Sequence, residues 1–217
     1  MTTKEGFWLR PEEVALITTV IEDKELVEAR HAQLIEAGTR LFEKKGYHAT
    51  TIREIVKESG LGIGSIYQYV KNKEEILFLI LVYILRQYES RLAASIATTA
   101  NPREQLISAI KTYYKIVNEE SDKVLLAYRE TQSLDEDHRK HIMELELLTN
   151  NIFKKIIEQG IEQNIFRKVN VDLITYNIIM FGHMWALKRW FFKKIMTIDE
   201  YIQQQTENIL AVLDKRD

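Results

Sequence analysis

Only two prolines and eight glycines interrupt the 217 residues of this chain, and that shortage of breakers decides most of what it can become. Along the long uninterrupted stretches the apolar residues recur at helical steps. Leu34, Ala37, Leu41 and Phe42 stand at i, i+3, i+7 and i+8, and Ile198, Ile202, Ile209 and Leu213 follow near-helical steps. Strand-like alternation over five or more residues does not occur. The expected fold class is all-α.

Helix starts follow from capping chemistry, in which a side-chain oxygen accepts from orphan backbone N–H groups and a Glu three residues on reaches back. Thr51 with Glu54, Asn72 with Glu75, Asn101 with Glu104, Ser133 with Glu136 and Thr197 with Glu200 fit that pattern, and Ser121 and Asn170 fit the simpler cap. Gly46, after Lys44 and Lys45, and Gly60 mark helix ends. The expected helices span 24–45, 51–59, 63–70, 72–98, 102–119, 122–131, 134–163, 171–195 and 198–215, with a further turn or two between Pro11 and Glu22. The long helix opening at Asn72 is expected to join a small N-terminal domain to a larger C-terminal one.

The absence of cysteine excludes disulfides, thiol nucleophiles and thiolate metal sites, and makes a reducing cytoplasm the default location. The longest apolar run, Ile76 to Leu85, is ten residues, against roughly 18 for a membrane span. No secretory signal and no membrane partner are expected. The total charge of −2 hides a polarised distribution: Arg30 to Lys73 holds eight basic and four acidic residues, a net +4, which leaves −6 for the rest.

That basic segment contains two helices too short to be stable alone, joined by Gly60, Leu61 and Gly62. Ile52, Ile55, Val56 and Ile66 supply the faces that pack together. The arrangement is a helix-turn-helix, whose second helix can enter a DNA major groove. Ser65, Tyr67, Gln68 and Tyr69 are expected to face outward, because Gln can pair bidentately with adenine and hydroxyls suit phosphates. Thr51 at a helix N-terminus and Lys73 are expected to hold phosphates.

These residues resemble the TetR family of bacterial transcriptional regulators. The resemblance runs through Ile35, Ala37, Leu41, Phe42, Gly46 and Tyr47, then Thr50, Thr51, Ile52 and Ile55, then Gly60-Leu61-Gly62, Gly64-Ser65-Ile66-Tyr67, Tyr69-Val70 and Asn72-Lys73-Glu74. It departs from the family at Gly62, where a capping Ser is usual, and at Ile63, where a polar residue is usual; Ile63 either meets a thymine methyl or packs. The resemblance implies a three-helix DNA-binding domain (24–73) after an N-terminal extension (1–23), then a ligand-binding and dimerisation domain (74–217). It further implies a homodimer on double-stranded, palindromic operator DNA, most simply a repressor released by a small effector.

Between Val171 and Ile195 almost every helical face is apolar, so one face is expected to meet the core or a ligand and another a second subunit, together with 198–215. The stretch from Gly182 to Trp190 is similar to the matching helix of family members that respond to acyl-CoA thioesters or lipid-derived acids. An effector pocket can draw on Tyr113, Tyr114, Tyr128, Phe153, His183 and Trp185, with Arg189 for an anionic group. The competing reading makes the aromatics plain core and the cations of 188–194 a complement to a helix dipole.

No cofactor is expected, and the chain lacks a phosphate loop or nucleophile elbow. Asp135 to His141 places two histidines three apart among carboxylates, a spacing that can hold a metal but fits better a solvated helix start, so no metal site is assigned. The alternatives to a regulator are a cytosolic all-α enzyme or a ligand-binding bundle without DNA binding.

Overall fold

The computed structural model describes residues 9–97 and 99–215; the first eight residues of the extension and Thr98, the expected end of one helix, lie outside the described residues. Among these, ten α-helices are present: α1 Pro11–Leu16, α2 Lys24–Lys45, α3 Ile52–Ser59, α4 Lys73–Ile96, α5 Pro102–Glu119, α6 Ser121–Glu130, α7 Glu136–Glu162, α8 Val171–Leu187, α9 Arg189–Phe192 and α10 Ile198–Leu213. The described residues contain no strand, only an isolated antiparallel bridge between Phe166 and Asp214. No described helix is long and apolar enough to cross a membrane. The all-α class holds.

Most helix starts obey their local chemistry. Thr51 and Thr197 form complete capping boxes with Glu54 and Glu200, and Asn101 and Asn170 accept from the first turns of α5 and α8. Asn72 accepts from the Glu75 amide at 2.9 Å. The start of α7 differs from expectation. Ser133 gives its hydroxyl to Glu130, and Asp135 caps the helix by accepting from the His138 amide at 2.9 Å.

Two further differences follow from tertiary demands. The expected helix 171–195 breaks at Lys188, because Phe192 turns back to stack on Trp185 and meet Tyr201 edge-on, with ring centroids 6.0 and 5.0 Å away. The expected helix 63–70 is a turn followed by one 3₁₀ turn, Ile66–Gln68. Gly60, Gly62 and Gly64 crowd its approach, and each costs about 1 kcal/mol relative to Ala in a helix interior.

The chain divides into two compact units, 1–86 with 126–144, and 87–125 with 145–217. In the first, α3 packs on α2 through Ile55 and Val56, with Leu34, Ala37, Phe42, Ile66 and Val70 closing the core. In the second, α5 packs on α8 and α10 through Ile110, Tyr113, Tyr114 and Val117 against Ile178, Trp185, Tyr201 and Leu213.

Candidate nucleic-acid interface and a buried aromatic core

The first unit presents a short exposed turn after α3. Gly60 ends α3 with φ +74°, a left-handed conformation that a residue without Cβ adopts at no steric cost. The chain then crosses Leu61–Ser65 and enters the 3₁₀ turn. Gly62, Ile63, Tyr67 and Gln68 are exposed there, Ile63 by 61% and Tyr67 by 53%, so Ile63 is not a packing residue. Ser65 is half-buried and donates its hydroxyl to the Gly62 carbonyl at 2.9 Å.

Two expected contact residues point elsewhere. Tyr69 is 5% exposed, so its ring belongs to the core, and its carbonyl accepts from His31 Nε2 at 3.0 Å. A 3₁₀ turn advances about 120° per residue, so residues three apart share a direction, and with Tyr67 and Gln68 outward it is Ile66 and Tyr69 that face the core. Lys73 is also no outward cation. Its ammonium donates to the carbonyls of Tyr47 (2.7 Å) and Thr50 (2.9 Å) and lies 4.2 Å over the Tyr47 ring. It fastens the 46–50 turn, and desolvation lowers its pKa. Lys71, which is exposed, is the nearby cation open to solvent.

Thr51 is exposed at the start of α3, with its amide and hydroxyl both donating to Glu54, at 2.8 and 2.7 Å. The Glu54 carboxyl is held down to a pKa of about 2 by the hydrogen bond from Lys45, then by those from Thr51. A phosphate arriving at this helix end therefore meets an N-terminus already satisfied by a carboxylate.

In the second unit, five of the expected pocket residues share one cluster. Tyr113, Tyr114, Phe153 and Trp185 are buried, and His183 Nε2 lies 2.7 Å from the Tyr113 hydroxyl. Tyr114 donates to the Ile178 carbonyl at 2.9 Å, and Trp185 Nε1 donates to Asn118 Oδ1 at 2.9 Å. Burial pushes the His183 pKa down to about 4, so the ring is neutral at physiological pH. Arg189 donates to the Ser121 hydroxyl at 2.6 Å. Tyr128 belongs to the first unit and is 47% exposed. The polar tips that suited these aromatics to a pocket are satisfied within the protein, so the cluster is a closed core in this state.

The outer faces of α8 and α10 expose large apolar side chains. Leu173, Tyr176 and Met180 on α8 and Val212 on α10 are exposed, and Ile174, Asn177, Phe181, Asn208, Ile209 and Val212 line a depression of about 240 Å³. Apolar residues in such a contiguous set mark a face meant to be covered.

The start of α7 also departs from expectation. His138 is 5% exposed, not part of a solvated face. Its Nδ1 lies 2.7 Å from Glu74 Oε1 and its Nε2 2.9 Å from the Leu16 carbonyl, so hydrogen bonds occupy both ring nitrogens. The interaction partners are 64 and 122 residues away, and no local pattern announces them.

Comparison with known proteins accords with this geometry. The family model for bacterial regulatory proteins of the tetR family matches residues 34–80, and that for the tetracyclin repressor-like C-terminal domain matches residues 99–213. The HTH-type transcriptional regulator HbdR of Aromatoleum sp. (strain CIB) is 38% identical over 188 residues, 87% of this chain and 82% of that protein. The HTH-type transcriptional repressor KstR2 of Mycobacterium tuberculosis is 28% identical over 167 residues, 76% of this chain and 82% of that protein. The solved structure of KstR2, described as a ketosteroid transcriptional regulator, superposes with a TM-score of 0.72 at 25% identity, over 86% of this chain and 96% of that one. AibR, solved in complex with isovaleryl coenzyme A and operator DNA, superposes with a TM-score of 0.71 at 21% identity, over 82% of this chain and 96% of that one. With the family's N-terminal and C-terminal models matched in order and a relative 38% identical over most of the chain, the chain belongs to the TetR family of bacterial transcriptional regulators.

Proposed function

We propose that this chain is a homodimeric, ligand-responsive repressor that binds a palindromic operator and leaves it when a small hydrophobic or amphipathic effector binds. In this reading residues 24–73 read DNA, residues 74–217 bind effector and dimerise, and the protein works in the cytoplasm. The observation that carries it is the exposed Gln68 and Tyr67 on a turn set by the left-handed Gly60. Gln68 reads a base edge; Ser65, Tyr67, Ile63 and the Gly62 backbone line the groove; Thr51 meets a phosphate once Glu54 yields. The phosphate role expected of Lys73 passes to Lys71, since Lys73 is spent on the Tyr47 and Thr50 carbonyls.

The exposed faces of α8 and α10 form the dimer contact, a four-helix arrangement in which each subunit covers the other's Leu173, Tyr176 and Met180. The effector enters by opening the core around Tyr113, Tyr114, Phe153, His183 and Trp185, with Arg189 available for an anionic group. AibR, bound to an acyl-CoA, supports an acyl-CoA thioester or fatty-acid-like molecule as the class. Induction then rests on geometry: two recognition elements must lie about 34–36 Å apart to read successive major grooves. An effector shifts that spacing only through its different affinity for the two states.

The test is fluorescence anisotropy on the promoter fragment of the protein's own gene and on random duplex, across a salt series. Gln68→Ala is expected to lose about 1–3 kcal/mol on the cognate site and little on random DNA, while Lys71→Ala weakens both alike. Equal losses on both duplexes for Gln68→Ala would remove it from base reading, and no duplex binding at low salt would leave the chain a ligand-binding bundle.

A further inference from the structure

Residues 10–20 lie ahead of the segment that the family's N-terminal domain matches, yet they are tied into the first unit at every step. Glu13, on α1, is fully buried, with its carboxylate against Arg86 and 3.4 Å from His141 Nε2. The Leu16 carbonyl accepts from His138 Nε2 at 2.9 Å, and Ile17 is 5% exposed. Beyond α1 the chain runs across the start of α4: the Thr18 amide and hydroxyl donate to Glu75, at 3.2 and 2.8 Å. It ends on the reading turn. The Val20 amide donates to the Gln68 carbonyl at 3.0 Å, and the Thr19 hydroxyl donates to the same oxygen at 3.2 Å.

That last contact matters because the reading turn has little regular structure of its own. Three glycines precede it and a single 3₁₀ turn forms it. Such a turn is short-lived without outside support. Its two terminal carbonyls both find partners from elsewhere: Gln68 from residues 19 and 20, Tyr69 from His31. The backbone of Gln68, whose amide side chain is exposed on this turn, is thus held by a segment about 50 positions earlier, at a sequence separation of 49 for the Thr19 bond.

We propose that residues 10–20 are a positioning strap for the DNA-reading turn, with Thr18, Thr19 and Val20 acting on base discrimination through the backbone of Gln68. The inference rests on the reading of Gln68 as the base-contacting residue. The far end of the strap is anchored by Arg86, His138 and His141, so the strap transmits a fixed position rather than floating. A weakened grip leaves the Gln68 carbonyl to the Val20 amide alone and lets the amide side chain sample orientations that do not match a base edge, while contacts to phosphates persist.

A double-mutant cycle on the full-length protein tests this. Thr18→Val with Thr19→Val removes both hydroxyl donors and keeps branched side chains of similar volume. We expect about a 3- to 10-fold loss on the cognate duplex, from the worth of one or two hydrogen bonds, and less than about 2-fold on random duplex. In a Gln68→Ala background the same pair is expected to have no further effect on the cognate site, because the strap acts only through that side chain. Thr19→Ser, which keeps the donor, rescues discrimination. Hydrogen exchange at the amides of 66–70 separates positioning from global damage: exchange there rises while α2 and α4 stay protected. Additive losses in the Gln68→Ala background, or a loss equal on both duplexes, would overturn the strap while leaving Gln68 a reader. An unchanged cognate affinity in Gln68→Ala alone would overturn the reading and the strap with it.

Discussion

A methyl group at position 182 should destabilise the second unit, although a glycine in mid-helix would ordinarily improve on replacement. Gly182 lies inside α8, where Ala is favoured by about 1 kcal/mol. A Cβ there would sit 2.9 Å from Tyr113 Cε1 and 2.9 Å from both Tyr114 Cδ1 and Tyr114 Cε1. Carbon pairs rest at about 3.5–4.0 Å, so both rings would have to retreat by about 0.6 Å or more. They are poorly placed to do so. The Tyr114 hydroxyl is bonded to the Ile178 carbonyl and the Tyr113 hydroxyl to His183, both on α8 itself, so the two rings are fastened by their tips to the helix whose middle would push them away. Overpacking of this kind costs about 1–3 kcal/mol, and each hydrogen bond strained adds about 0.5–1.5 kcal/mol. After the propensity gain, Gly182→Ala is expected to lose roughly 1–3 kcal/mol, read as a melting temperature lower by about 2–12 °C at this chain length. Thermal unfolding followed by circular dichroism measures it. Gly64→Ala serves as the control, because a Cβ there meets no atom within 4 Å. A Gly182→Ala protein that melts higher than the parent would show that the close approach of α5 and α8 is not a constraint, and the argument would fail.

Other perturbations follow from the same geometry. Gly160→Ala places a Cβ 2.1 Å from Phe166 Cδ2, and Phe166 is 1% exposed, so a loss of about 3 kcal/mol is expected; an unchanged melting temperature would refute it. His183 has a folded pKa of about 4, against about 6.5 unfolded. Between those values the unfolded chain binds more protons, so stability falls as pH drops from 6.5 towards 4, by about 3 kcal/mol, and His183→Leu should flatten that slope. His138 has the opposite sign. Burial disfavours its charged ring, but the Leu16 carbonyl, the Glu74 hydrogen bond and the charges of Asp135 and Glu74 outweigh burial and raise its pKa. Its contribution is therefore complete below about pH 6.5 and lost as pH rises through the folded pKa; ring proton shifts that titrate below the ordinary histidine value would contradict this.

What the sequence made legible was local. The capping boxes at Thr51 and Thr197 and the caps at Asn101 and Asn170 depend on atoms three residues apart, and residue identity alone specifies them. The glycine turn was legible for the same reason, because a left-handed residue after a short helix is a steric requirement at one position. Lys73, Tyr69 and His138 were misjudged because their environment is made by distant chain. A lysine after a reading helix looks like a phosphate ligand until the carbonyls of Tyr47 and Thr50, more than 20 positions away, are found around it. The break at Lys188 had no local signal either, since the gain comes from Phe192 covering Trp185.

The same distinction explains why the site residues divide as they do. On the proposed function, an operator is read by side chains that the fold leaves within reach: a group that is buried, or whose charge is spent on several internal acceptors, leaves the set. Lys73 leaves it through two carbonyls and Tyr69 through burial, while Gln68, Tyr67 and Lys71 remain exposed. In the second unit the elimination works in reverse. Tyr113, Tyr114 and Trp185 are each bonded to a named partner within the core, so an effector that displaces them, as proposed, would have to supply replacements for three hydrogen bonds as well as apolar volume. An apolar molecule of the right size but lacking acceptors and donors would leave buried polar tips unpaired, at about 1–3 kcal/mol each. On the proposed effector site, the core would favour an amphipathic molecule over a pure hydrocarbon, and that preference would arise from the same hydrogen bonds that stabilise the fold.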